Sequence, residues 1–132
     1  ALTPAGVARA FRALVLGAPD SPERRIADAM RAHPEWTSGT RREETRLMRA
    51  VPGLLVKAGA EGVDAFALAD GRAGVVKIDD GARRARTPVT VALLGALGVD
   101  AGLDALAVSP LPGGDETVGA IRPVPDLFSR RP

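Results

Sequence analysis

Residues 54–78 read Leu54-Leu55-Val56-Lys57-Ala58-Gly59-Ala60-Glu61-Gly62-Val63-Asp64-Ala65-Phe66-Ala67-Leu68-Ala69-Asp70-Gly71-Arg72-Ala73-Gly74-Val75-Val76-Lys77-Ile78. Short apolar runs separated by glycine and aspartate are the pattern of strands and turns, not of a helix. The runs predict strands over about residues 54–58, 63–69 and 73–79. Asp70-Gly71 has the composition of a tight hairpin turn, in which glycine takes positive φ without steric cost, so the second and third strands should be antiparallel neighbours.

Outward from this stretch the period changes to that of helices. Thr3-Pro4 and Ser21-Pro22-Glu23 each place a capping hydroxyl before a proline, and apolar residues then recur at helical spacing, predicting helices over about 4–16 and 22–33. Pro34 disfavours a helical conformation in His33, so residues 33–39 read as a loop. Thr40-Arg41-Arg42-Glu43 has capping-box spacing ahead of a third helix over about 41–51. Thr87-Pro88 opens a fourth over about 88–97, stopped at Gly98. A short helix near 101–106, an extended stretch over 117–121 and a loose tail from 108 to 132 complete the reading, the last 34 residues holding five of the 11 prolines. This order predicts an α+β fold, an antiparallel sheet with one face against helices, in residues 1–132 as a single domain or as the C-terminal part of one. Three strands make a thin sheet with a bare edge.

Composition narrows the function. Eighteen basic against 16 acidic residues leave a net charge of +2, and aromatics reach 3%, so neither the field nor the stacking platforms of a nucleic-acid binder are present. The absence of cysteine and the presence of one histidine, His33, argue against a thiol nucleophile, a thiolate metal site or a Ser-His-Asp triad built by this chain alone. No apolar run approaches a membrane span and no leader opens the chain, so a cytoplasmic protein without a membrane partner is expected. Ala1 stands where an initiator methionine would, as expected of a processed or truncated piece.

All but two of the basic residues are arginines; the exceptions, Lys57 and Lys77, both fall in predicted strands. A lysine, unlike an arginine, can have its pKa lowered far enough to act as a base. In Lys57-Ala58-Gly59 the glycine lets a strand edge approach a ligand while the lysine presents a cation or proton donor. Codon bias and solvated strand lysines are the ordinary explanation.

The run Met30-Arg31-Ala32-His33-Pro34-Glu35-Trp36, then Gly39-Thr40 and Thr45-Arg46-Leu47-Met48, together with Lys57-Ala58-Gly59-Ala60-Glu61-Gly62-Val63 and Lys77-Ile78-Asp79-Asp80-Gly81, resembles the L-asparaginase II family. The resemblance covers roughly residues 1–98, with a weaker echo near 118–123. It implies part of a serine β-lactamase/penicillin-binding-protein-like domain that hydrolyses L-asparagine to L-aspartate and ammonia through a Ser-x-x-Lys nucleophile. It also implies that the nucleophile lies in an N-terminal portion outside this chain, the chain being the C-terminal portion and inactive alone. Cysteines that hold zinc in some members are upstream as well, so no cofactor or metal is expected in this chain.

By the same resemblance Lys57 matches the lysine of a Lys-Thr-Gly-like motif, with Ala58 in place of threonine and Gly59 as its glycine, and the Ala60 amide is an oxyanion donor. Glu61 is read as orienting the substrate's amino group, or else as a turn residue, and His33 as lining the cleft, or else as a partner for helix-end carbonyls. Lys77 is read as cleft-lining or as pairing with a nearby acid, and Trp36 as a loop anchor on the core. Asp79-Asp80 is read as a strand end, and Arg83-Arg84-Arg86 as an anion site or a solvated charge run. Ser21, Thr40 and Thr45 are the hydroxyls on offer should the nucleophile lie within the chain. Two rival readings are a non-catalytic dimerisation or strand-addition module, which implies a homodimer, and a β-lactamase or peptidase relative.

Overall fold

The computed structural model describes residues 2–128. Helix α1 spans Pro4–Leu16 and α2 spans Pro22–Ala32. The hydroxyls of Thr3 and Ser21 accept hydrogen bonds from the amides of Gly6 and Arg24 at 3.1 and 3.2 Å, so both predicted start signals operate as caps. Between His33 and Gly39, where the sequence predicts a loop, a short helix α3 spans Pro34–Ser38. Proline at its first position needs no amide donor, so Pro34 ends one helix and begins the next. Helix α4 spans Glu43–Ala50 with Arg42 at its N-cap and no side-chain cap, so the predicted capping box does not form.

Strands β1 (Leu55–Gly59), β2 (Val63–Ala67) and β3 (Ala73–Lys77) form an antiparallel sheet in the order β1-β2-β3. The Asp70-Gly71 turn closes β2 onto β3 as predicted: Gly71 has φ +87 and the Asp70 carboxylate accepts from the Arg72 amide at 2.9 Å. A 3₁₀ turn at Arg83–Ala85 leads into α5, Arg86–Ala96, and Asp104–Leu106 is a second 3₁₀ turn. The tail is not loose throughout. Strands β4 (Ser109–Gly113) and β5 (Glu116–Ile121) make a separate antiparallel hairpin, and residues 129–132 lie outside the described residues.

The class is α+β, but helices cover both faces of the three-stranded sheet. Leu55, Ala67 and Ala73 lie in one cross-strand row and pack with Val15 of α1 and Ala27 of α2. The adjacent row, Val56, Phe66 and Gly74, turns to the opposite face, where Leu47 and Met48 of α4 and Leu94 of α5 complete the larger core. A Cβ on Gly74 would stand 2.7 Å from the Phe66 ring, so the glycine is the seat of that aromatic. Near-continuous apolar strands are what burial on both faces requires. No helix among the described residues is long and apolar enough to cross a membrane.

Three charged side chains sit inside the layer between β2, α4 and α5. Arg86 is 2% exposed and pairs with Glu44, and its Nε lies 3.0 Å from Asp64 Oδ1; Asp64 Oδ2 accepts from the Thr90 hydroxyl at 2.9 Å. Removing one member of a buried charge set strands the others in a dry environment. Arg86→Met is therefore expected to lower unfolding free energy by roughly 3–5 kcal/mol in chemical denaturation. The apolar triple replacement Glu44→Leu, Asp64→Val, Arg86→Met should recover most of that loss.

Candidate functional site

Antiparallel pairing of Gly59 with Val63 leaves Ala60, Glu61 and Gly62 as the β1–β2 turn. Glu61 and Gly62 both take left-handed backbone conformations, φ +57 and +67. The Gly62 carbonyl accepts from the Ile78 amide at 3.0 Å, and a Cβ on Gly81 would fall 2.6 Å from Glu61 Oε2. The turn is thus fastened against the segment leaving β3, which brings the two stretches 57–63 and 77–81 to one end of the sheet.

Lys57 and Lys77 share a face there. The register sets Lys57 opposite Ala65, which faces Val75, while the next row of that face is Gly59, Val63 and Lys77. Lys57 is half-buried and donates to the Ala58 carbonyl at 3.0 Å, with β1 pairing, among the described residues, only on its β2 side. Lys77 donates to the Ile78 carbonyl, not to Asp79 or Asp80; Asp80 pairs with Arg84 instead. Glu61 is exposed in the turn, beside Gly81.

His33 is not part of this cluster. It is exposed on a shallow groove of about 370 Å³ with Ala29, Met30, Trp36 and Thr37, and its carbonyl accepts from Thr37. Trp36 is no core anchor: it is 86% exposed, because Pro34, not Trp36, is the α3 residue that turns inward. Ser21 is occupied as the cap of α2, and the buried Thr45 hydroxyl donates to the Pro34 and Gly39 carbonyls at 3.1 and 2.7 Å. Thr40 is exposed. Among the described residues no three His, Asp or Glu side chains gather to hold a metal, and the chain has no cysteine.

The sheet end is held from behind by the Arg86 cluster, which sequence reading missed. Asp64 pairs across the sheet with Ala58, the residue after Lys57, and its side chain points to the face opposite the lysines. The signal was present as a lone carboxylate in the apolar run 63–68. Burial pushes the Asp64 carboxyl up to about 6, against the opposing pull of Arg86 and the Thr90 hydrogen bond.

The family model described as L-asparaginase II matches residues 1–123. No curated protein matches the chain.

Because folded Asp64 holds its proton more tightly than an unfolded aspartate, ionising it costs folding free energy. Its contribution is present below pH 3.8 and lost as pH rises to about 6, amounting to at most about 3 kcal/mol. Denaturant midpoints from pH 4 to pH 8 should therefore show wild type losing stability relative to Asp64→Asn up to about pH 6, and a constant gap above. Asp70, lowered by its Arg72 hydrogen bond, and Asp80, lowered by the Ala82 amide, act in the opposite sense but equally in both proteins. Parallel profiles would contradict the assignment.

Proposed function

The chain belongs to the L-asparaginase II family, and on that premise we propose that it is the C-terminal portion of an L-asparaginase that hydrolyses L-asparagine to L-aspartate and ammonia. One observation carries the reading: the family match extends over residues 1–123 of 132. In this proposal a serine of a Ser-x-x-Lys motif, carried by an upstream portion of the protein, attacks the side-chain amide carbon. Ammonia leaves with a proton, and water then cleaves the acyl-serine to release aspartate. The three-stranded sheet is proposed as part of a serine β-lactamase-like fold whose remaining strands come from the same portion.

The geometry of the sheet end supports the proposed roles. Among the described residues, Lys57 stands on a strand whose outer edge pairs with no other strand, and its ammonium is held by one neutral carbonyl with no carboxylate on it. That leaves its charge for a substrate oxygen or for a proton in transit. Gly59 lets the edge approach a ligand, and the Ala60 amide follows in a turn fixed by the Gly62–Ile78 hydrogen bond. Glu61, in the same turn, is proposed to face the substrate's amino group, and Lys77 to add positive potential from the same face. His33 is assigned no part, since its groove does not include these residues. Any zinc belongs to the upstream cysteines, and no step here passes through it.

A different observation favours a second, non-catalytic reading. The β4–β5 hairpin is exposed along nearly all its length, with Leu111 38% and Val118 69% exposed, and a two-stranded hairpin without a core is marginal by itself. That reading makes the chain an association module, and it predicts concentration-dependent self-association untouched by Lys57→Ala.

Ammonia release from L-asparagine decides between them. The chain alone should release none, and joined to the upstream portion it should be active. Lys57→Ala in the joined protein should lower kcat/KM by about 10²–10³-fold, the cost of removing one electrostatic donor from a preorganised site. Full activity of that variant would remove Lys57 from the mechanism.

A further inference from the structure

A cavity of about 510 Å³ opens between the first turns of α4, the 3₁₀ turn leading into α5 and the chain entering β4. Its charged lining is Glu43, Arg46, Arg83, Arg84 and Arg86, four guanidinium groups against one carboxylate. Three of the four have ion-pair partners, Arg86 with Glu44 and Asp64, Arg84 with Asp80, and Arg83 more loosely with Glu43. Arg46 has no ion pair among the described residues, and the exposed Arg83–Glu43 ion pair, at 3.8 Å, is too long to be a hydrogen bond. Glu43 Oε2 is itself enclosed, and among the described residues it accepts no hydrogen bond.

One guanidinium without an ion pair and one held only by a long, exposed pair attract carboxylate or phosphate. A bare anion, however, would also meet the Glu43 carboxylate, whose enclosed oxygen calls for a donor. A molecule carrying both signs of charge satisfies all three groups. We propose that this cavity binds an acidic amino acid, its carboxylates on Arg46 and Arg83 and its ammonium group on Glu43. The cavity borders the Arg86 side of the sheet, whereas Lys57 faces the other, so the ligand occupies a site separate from the proposed reaction. The choice of L-aspartate as its natural occupant rests on the proposed hydrolysis, which releases it; the chemistry of the cavity does not. A product bound there would touch the wall that holds Asp64 and, through Ala58, the strand of Lys57.

Titration calorimetry of the 132-residue chain with L-aspartate, succinate and inorganic phosphate tests this. L-Aspartate should bind with a Kd of about 1 mM or tighter, and Arg46→Gln or Arg83→Gln should each weaken it about tenfold, as loss of one charge-assisted contact does. Glu43→Gln should weaken L-aspartate but strengthen succinate, which lacks the ammonium group. Both arginines are solvent-exposed, so the circular dichroism of their variants should match wild type. No heat with L-aspartate, binding unchanged in the arginine variants, or tighter binding of succinate or phosphate to the unmodified chain would each overturn the proposal. None of these results bears on the hydrolysis, which is read by ammonia release and Lys57→Ala.

Discussion

Arg86 lies between two carboxylates, Glu44 of α4 and Asp64 of β2, in a layer from which water is excluded, and the arrangement of the molecule follows from keeping those charges together. Each group costs free energy to bury, and their attraction in a low-dielectric interior offsets that cost only while all three stay in place. Glu44 Oε2 accepts no hydrogen bond among the described residues, and Arg86 Nε and Asp64 Oδ1 are close but poorly aligned, so the cluster is an ion set more than a hydrogen-bond network. Its value lies in register. A slip of one residue in β2 would carry Asp64 to the opposite face, against α1 and α2, and Phe66 out of the seat made by Gly74.

Register at Asp64 is also register at Lys57. Asp64 pairs with Ala58, so fixing one strand from behind fixes which face the neighbouring lysine presents. The front of the sheet end is held differently, by the Gly62 carbonyl on the Ile78 amide and by the Glu61 side chain against Gly81. Ionic anchoring behind and backbone pairing in front leave a rigid corner at the end of a strand whose outer edge has no strand partner among the described residues. Rigid presentation of a cation and a turn amide at an open edge is what electrostatic catalysis requires of a scaffold.

Much of this was legible in the chain. The three strands, the Asp70-Gly71 turn and the proline-led starts of α1 and α2 follow from local rules that tertiary structure had no cause to override. Pro34 was misread because the rule that a proline ends a helix is equally a rule for starting one. The capping box at Thr40 failed because the chain joins α4 at Arg42, and Thr45 satisfies the Gly39 carbonyl instead. The second helical layer was hidden in the strands' lack of alternation, which short runs cannot separate from one-sided burial. The grouping of Lys57, Gly59, Ala60, Glu61 and Lys77 comes from the family resemblance, and the strand register brings them to one end of the sheet. The partnership of Asp64 with Arg86 and Glu44 spans residues far apart in the chain and carries no local signature.

Amide hydrogen exchange under native conditions tests most directly whether the Arg86 cluster holds the strand of Lys57. If it does, Arg86→Met should raise exchange in α5 and in the amides of β1 and β2 around Ala58 and Asp64 together, as one cooperative unit. Faster exchange confined to α5, with β1 and β2 as protected as in wild type, would contradict the account.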